Sequence, residues 1–269
     1  MYLVFDIGGT HTRLGLSANG RKLDQVVHLE TDSSAAGLEA FLGATSTLAA
    51  GRTLRAVAGG LPGHMAVDGR LGYAPNLPGW VGLAVADRLQ ERLGVKVLVE
   101  NDAALAGLAE ACLGAGAGRR IVTYITVSTG VNGVRIVDGG IDSSAQGFEI
   151  GQQLLADHNG QLASLESLTG GAALARRTGR LPAELQGTGT WQVEVQYLAR
   201  GLFNTLVHWS PEIVVYGGRM MQDISVAAIA EELSRLPAVL KPWPPIVTAQ
   251  LGDDGGLLGA LLLLRGRDL

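Results

Sequence analysis

A single cysteine, Cys112, occurs in 269 residues. One thiol closes no internal disulfide and builds no thiolate-rich zinc site. A reducing compartment fits this usage. Charge is also scarce, at 17% of residues with a net charge of −4. That balance gives no electrostatic basis for binding nucleic acid or an acidic membrane surface. No basic segment followed by an apolar run and a cleavage site opens the chain. The longest late apolar run, residues 257–264, is far shorter than the roughly 20 residues a membrane-spanning helix needs. Low-complexity segments, helical repeats and a collagen-like period are missing as well. These absences lead to the expectation of a soluble, cytoplasmic protein with neither nucleic acid nor a membrane as partner.

Hydrophobic residues, by contrast, make up 47% of the chain, and there are 39 glycines. The first figure allows a large core in one large domain or two lobes. The second exceeds what ordinary turns use and points to several glycine-rich ligand loops. An apolar run at residues 2–5, an alternating stretch at 13–17 and a further stretch at 25–29 predict three strands, with a hairpin turn at Asn19-Gly20 between the second and third. Leu38, Phe41, Leu42, Thr45 and Leu48 follow helical spacing. A short strand at 55–58 runs into Gly59-Gly60-Leu61-Pro62-Gly63. A helix at 83–93, a strand at 96–99 and an Ala- and Leu-rich helix at 103–113 follow. Three strands followed by strand–helix alternation predict a mixed sheet with helices on its faces, an α/β fold. Gly114-Ala115-Gly116-Ala117-Gly118 is the best candidate for a lobe boundary. Beyond it a strand at 121–127, a Ser128-Thr129-Gly130-Val131-Asn132-Gly133 turn and a return strand at 134–137 repeat the design of the opening hairpin. Residues 139–171 read as an insertion of loops and short helices. Helices at 191–209, 224–236 and 255–264 and strands at 212–216 and 246–249 complete the chain.

Several stretches carry possible chemistry, each with a plain structural alternative. In Val4-Phe5-Asp6-Ile7-Gly8-Gly9-Thr10 a strand ends near a carboxylate, and a glycine turn leaves backbone N–H groups bare. A phosphate can approach such a turn closely, and magnesium takes oxygen ligands while keeping some of its waters. The alternative is a glycine hairpin with an incidental aspartate. Glu100-Asn101-Asp102 lies between a strand and a helix, where ligands bind in open α/β sheets. Asp102 there is either a helix cap or a general base for a hydroxyl nucleophile. Asn76, in a proline-stiffened turn, has an amide able both to donate to and to accept from a substrate hydroxyl. Glu149 and Glu166, taken alone, read as solvated surface charges, the usual fate of a lone Glu. Gly217-Gly218 and Asp253-Asp254-Gly255-Gly256 each follow a strand and precede a helix. They suit the close approach of a base or ribose, and suit a cap or turn equally.

Taken together, Asp6-Ile7-Gly8-Gly9-Thr10, Pro75-Asn76-Leu77-Pro78-Gly79-Trp80, Glu100-Asn101-Asp102-Ala103, Ser128-Thr129-Gly130, Glu149-Ile150-Gly151, Leu165-Glu166 and Tyr216-Gly217-Gly218 resemble, in this order, the ROK family of bacterial sugar kinases and sugar-responsive regulators. The resemblance covers essentially the whole chain. It implies the actin-like, ribonuclease-H-like ATPase fold: two α/β lobes with a cleft between them. The smaller would span 1–113 with a returning helix at about 255–269, and the larger 114–254. It implies ATP and Mg²⁺ as cofactors. Gly8, Gly9 and Thr10 would hold the terminal phosphates, and Asp6 would orient the metal through water. Ser128, Thr129, Gly130, Val131, Asn132 and Gly133 would form a second phosphate loop, and Gly217 and Gly218 would lie against the adenosine. Asn76, Asn101, Asp102, Glu149 and Glu166 would bind sugar hydroxyls, with Asp102 also the base at the C6 hydroxyl. A homodimer is a further expectation from the resemblance.

The chain departs from the family pattern at two places. Members often hold zinc with a histidine and three cysteines. Here Gln152 stands at the histidine position and residues 161–165 contain no cysteine, so no zinc site is expected. Gln152 still donates and accepts, and is a candidate for the sugar contact, while the segment holding Glu166 must be fixed by packing. Asn132 and Val134 replace glycines of the second loop. If those positions need left-handed backbone, valine is disfavoured there and nucleotide affinity falls. No helix-turn-helix precedes the first hairpin, so a DNA-binding repressor is not expected. The reading is an ATP-dependent C6 kinase of a hexose. Glucose is the first choice and N-acetylmannosamine the second, with fructose and N-acetylglucosamine remaining open. A non-catalytic sugar sensor is the main alternative, and a kinase for another acceptor or donor is less favoured.

Overall fold

The computed structural model describes residues 1–144, 147–185, 187, 191–237 and 241–269. Residue contacts divide the chain into two units. The first comprises residues 1–109, 143–147 and 253–269, and the second comprises 110–142 and 148–252.

The first unit begins with strands β1 (Tyr2–Ile7), β2 (His11–Ser17) and β3 (Gln25–Glu30), followed by α1 (Ala35–Ala49) and β4 (Ala56–Leu61). The hairpin β5 (His64–Met65) and β6 (Leu71–Tyr73), helix α2 (Val85–Leu93), strand β7 (Lys96–Asn101) and helix α3 (Asp102–Leu113) follow, with residues 110–113 of α3 counted in the second unit. The sheet order is β3-β2-β1-β4-β7. β1, β2 and β3 pair antiparallel, and β1, β4 and β7 pair parallel.

Both faces of this sheet are covered, so its central strands are apolar throughout. Leu3, Phe5 and Ile7 of β1 lie in a core with Leu38 and Phe41 of α1 and Leu89 of α2. Tyr2 and Val4 alternate to the other core, with Ala56 and Ala58 of β4. Leu257, Ala260, Leu261 and Leu264 of the last helix fill that second core. Each such buried leucine stabilises by about 2 kcal/mol. The strand period then decides where the next side chain goes. Asp6 follows Tyr2 and Val4 in their row, and Gly60, its register partner on β4, follows Ala56 and Ala58.

The second unit contains β8 (Ile121–Val127), β9 (Val131–Val137), β10 (Gly140–Ile141), β11 (Leu154–Ala156), β12 (Leu162–Ser164), α4 (Leu165–Thr169), α5 (Gly171–Thr178), α6 (Gln192–Trp209), β13 (Ile213–Gly217), α7 (Val226–Ser234) and β14 (Ile246–Thr248). Helix α8 (Gly255–Arg265) belongs to the first unit. The order β10-β9-β8-β13-β14 reproduces the first sheet, with three antiparallel strands and two further parallel pairings. Leu198, Leu202 and Leu206 of α6 are buried against this sheet's core, and Val195 is partly buried there. The region expected to be only loops and short helices also forms the hairpin β11–β12.

Among the described residues, no helix is long and apolar enough to cross a membrane.

Candidate functional site

In the first unit the row of small residues opens a place for two carboxylates. A methyl group on Gly60 would lie 3.0 Å from Asp102 Cα, 3.3 Å from Asp102 Cβ and 3.4 Å from Asp6 Oδ1. The bare α-carbon of Gly60 therefore separates the end of β1 from the start of α3. Gly256, at the start of α8, closes on Asp6 from another side, where its missing Cβ would stand 2.5 Å from the carboxyl carbon. Asp102 opens α3, and its Oδ1 accepts the Ala103 N–H at 2.8 Å.

Among the described residues, Asp6 meets one cation. Arg13, across the hairpin, lies 3.4 Å from Asp6 Oδ2 and 3.0 Å from Asp253. Burial disfavours the ionised carboxylate and Arg13 favours it. Burial prevails, so the Asp6 pKa is raised from 3.8 to about 6.

The glycine turn between β1 and β2 is partly committed to the fold. Gly8 N–H donates to the His11 carbonyl at 2.8 Å, and the Gly8 carbonyl accepts from the Thr31 hydroxyl. The expectation that the glycine amides stand bare is corrected for Gly8, because its N–H closes the hairpin. The N–H groups of Gly9 and Thr10 have no backbone partner among the described residues. Asn76 packs on this turn: a Cβ on Gly9 would lie 3.1 Å from Asn76 Cγ. Asn101 caps α3, accepting from Ala104 N–H at 3.1 Å and donating from Nδ2 to the Gly63 carbonyl at 3.0 Å. One of its amide hydrogens and one lone pair take no other bond among the described residues.

In the second unit the turn 128–130 joins β8 to β9. Ser128 N–H bonds to the Gly130 carbonyl at 2.8 Å, and Ser128 Oγ accepts from Arg219 N–H at 3.1 Å. Gly218 lies beside it with φ 94°, and a Cβ there would strike the Val127 carbonyl at 2.4 Å. Gly217 packs on the Tyr124 hydroxyl, 2.3 Å from its missing Cβ. Asn132 and Val134 both lie in the regular strand β9, paired with Thr126 and Tyr124. Neither is among the residues with positive φ. The expected backbone strain at these positions is therefore absent, because both have strand geometry that asparagine and valine adopt readily.

Glu166 is drawn into this turn. Its Oε2 accepts the Val131 N–H at 2.9 Å, and its Oε1 accepts from Gln152 Nε2 at 3.3 Å. Packing alone therefore does not fix its segment: these bonds and the capping of α4 by Ser164 hold it too. Val131 is one of the residues expected in the second phosphate loop, and its N–H is used inside the protein. Glu149 is exposed, and its carbonyl accepts the Gln152 N–H at 3.0 Å. Thr129 is exposed, and Gly133 is buried within β9.

Arg13 and Gly60 carry no role on the sequence alone, and Gly256 carries only that of a turn glycine open to a base or ribose. Their importance arises from register and from α8 packing, neither of which adjacent residues reveal.

The sequence and fold place the chain in a known class. Residues 2–267 match the ROK family, and the chain belongs to it. Its sheets and helices form the two α/β units of the actin-like ATPase fold. The bifunctional enzyme NanE/NanK of Brucella melitensis is 31% identical over 96% of this chain. The chain spans about half, 52%, of that relative's length. An N-acetyl-D-glucosamine kinase of Citrobacter koseri is 29% identical over 98% of this chain and 99% of its own. The crystal structure of a ROK hexokinase from Thermus thermophilus superposes with a TM-score of 0.82, at 30% identity, over 100% of this chain and 99% of that one.

Proposed function

We propose that this protein is an ATP-dependent kinase that phosphorylates a hexose, or a hexose derivative, at its C6 hydroxyl. The observation that carries the reading is the convergence of Asp6 and Asp102 on Gly60 beside the glycine turn. A non-catalytic binding protein has no use for a metal-orienting carboxylate next to a potential base. Two of the named relatives, an N-acetyl-D-glucosamine kinase and a ROK hexokinase, are kinases of sugars and support the same reading.

Each unit would have its own tasks. In the first, Asp102 would accept the proton of the C6 hydroxyl as its oxygen bonds to the γ-phosphorus and the bond to ADP breaks. Asn76 and Asn101 would orient sugar hydroxyls, and Gly9 and Thr10 would donate to phosphate oxygens. The donor chemistry of Asp6 fits Mg²⁺: it offers hard carboxylate oxygens, and the small residues Gly60 and Gly256 flank it. Bound there through water, Mg²⁺ would supply positive charge against the polyphosphate. In the second unit the turn 128–130 with Asn132 and Gly133 would contact phosphates. Gly217 and Gly218 would lie along the adenosine, and Glu149, Gln152 and Glu166 would contact sugar hydroxyls.

Glucose is the first substrate proposed and N-acetylmannosamine the second. The test is coupled ADP release with Mg-ATP against glucose, N-acetylmannosamine, N-acetylglucosamine, mannose and fructose. Saturable turnover with at least one sugar is expected. Silence across the panel, with sugar alone still raising the unfolding temperature, would replace the kinase by a sugar sensor.

A further inference from the structure

The second turn, 128–131, is held from behind at both ends. At one end Glu166 Oε2 accepts the Val131 N–H at 2.9 Å, across 35 residues of sequence. At the other, the first residues of α5 donate into the turn: Gly171 N–H to the Ser128 carbonyl at 2.8 Å, and Ala172 N–H to the Thr129 carbonyl at 3.0 Å. Three glycines permit this approach. A Cβ on Gly130 would stand 2.2 Å from Glu166 Oε2, one on Gly170 would stand 2.8 Å from the Thr129 carbonyl, and one on Gly171 would stand 2.9 Å from the Ser128 carbonyl. Segment 165–172 thus sets which way the peptide groups of the turn face.

We infer that Glu166 is a positioning residue for the phosphate turn, linking a residue of the sugar-contact set to nucleotide affinity within the second unit. Its carboxylate takes the Val131 N–H and so fixes the peptide that follows Gly130. That leaves the N–H groups of Thr129 and Gly130 to be presented in one orientation. Gln152, which donates to the other carboxylate oxygen, orients the Glu166 side chain. A sugar that bonded to Gln152 or Glu166 would therefore act on the turn as well. The inference rests on the reading of this turn as a phosphate loop.

The test is calorimetric titration of MgADP into the purified chain without sugar, where a residue that only contacts sugar has no effect. Glu166→Ala, which leaves the Val131 N–H without its acceptor, is expected to weaken MgADP by about 10-fold or more. Glu166→Gln keeps an acceptor oxygen and is expected to remain within about 3-fold of wild type. Glu166→Asp, shorter by one methylene, is expected to fall between them, and serves where the alanine variant does not fold. Wild-type affinity in both the alanine and aspartate variants, or in the aspartate variant when it alone folds, would overturn the inference while leaving the phosphate loop intact. A wild-type protein that binds no MgADP would overturn the phosphate-loop reading, and this inference with it.

Discussion

The two sheets share one design and differ in what stands at the same place. In the first, position six of the chain ends a row on β1 and pairs with Gly60 on β4. In the second, Thr126 on β8 pairs with Gly217 on β13. The first position holds a carboxylate that burial has pushed up to about 6, and the second holds a neutral hydroxyl. The partner glycines differ likewise. Gly60 faces two aspartates, whereas Gly217 faces the ring and hydroxyl of Tyr124. At this matched position the repeated frame thus holds an acid in one unit and a neutral hydroxyl in the other.

Charge at Asp6 gives the largest expected effect on stability. The folded state holds a proton between pH 3.8 and about 6 that the unfolded chain has released. Stability from this group is fully present below 3.8 and is lost as pH rises through 6. A shift of about two units corresponds to about 3 kcal/mol. Asp6→Asn should remove that slope and raise stability at pH 7 to 8 by up to about 3 kcal/mol, while lowering kinase turnover. Thermal unfolding of both proteins from pH 4 to 8 checks this, and parallel curves would remove Asp6 from the account.

The partner glycines separate the units next. Gly60→Ala should reduce kcat by about 10- to 100-fold through a displaced Asp102, with only a small change in unfolding temperature. Gly217→Ala should destabilise by about 2 kcal/mol, because its methyl meets the buried Tyr124 ring. Kinetics and thermal unfolding on both variants read the two effects separately. The reverse pattern would break the comparison. The smallest effect belongs to the cap of α4. Ser164→Ala should cost about 1 kcal/mol, equally at pH 5 and pH 8, since no titrating group is lost with it.

Much of this frame was legible in the chain. The continuous apolar run Tyr2-Leu3-Val4-Phe5 places a strand buried on both faces, and the second hairpin repeats it. The hairpin β5–β6 was not legible, because strands of two and three residues carry too little period to register. β11–β12 was missed for the same reason. Helix α5 opens on Gly170-Gly171, which reads as a break; the pair is there because any side chain would strike the carbonyls of Ser128 and Thr129. Among the candidate residues, Asp6, Asp102 and Asn76 carried local motifs. The use of Glu166 by Val131 depends on a contact 35 residues away, and Gly256 depends on how α8 packs. Neither leaves a trace in adjacent residues.

The most direct test of the kinase account is the turnover of Asp102→Asn, measured as ADP release at saturating Mg-ATP and sugar, with sugar and nucleotide dissociation constants taken on the same preparation. The account predicts a kcat lower by about 100-fold or more, the scale of general-base loss, with both dissociation constants near wild type. Undiminished turnover would contradict it, and would return Asp102 to the role of a helix cap.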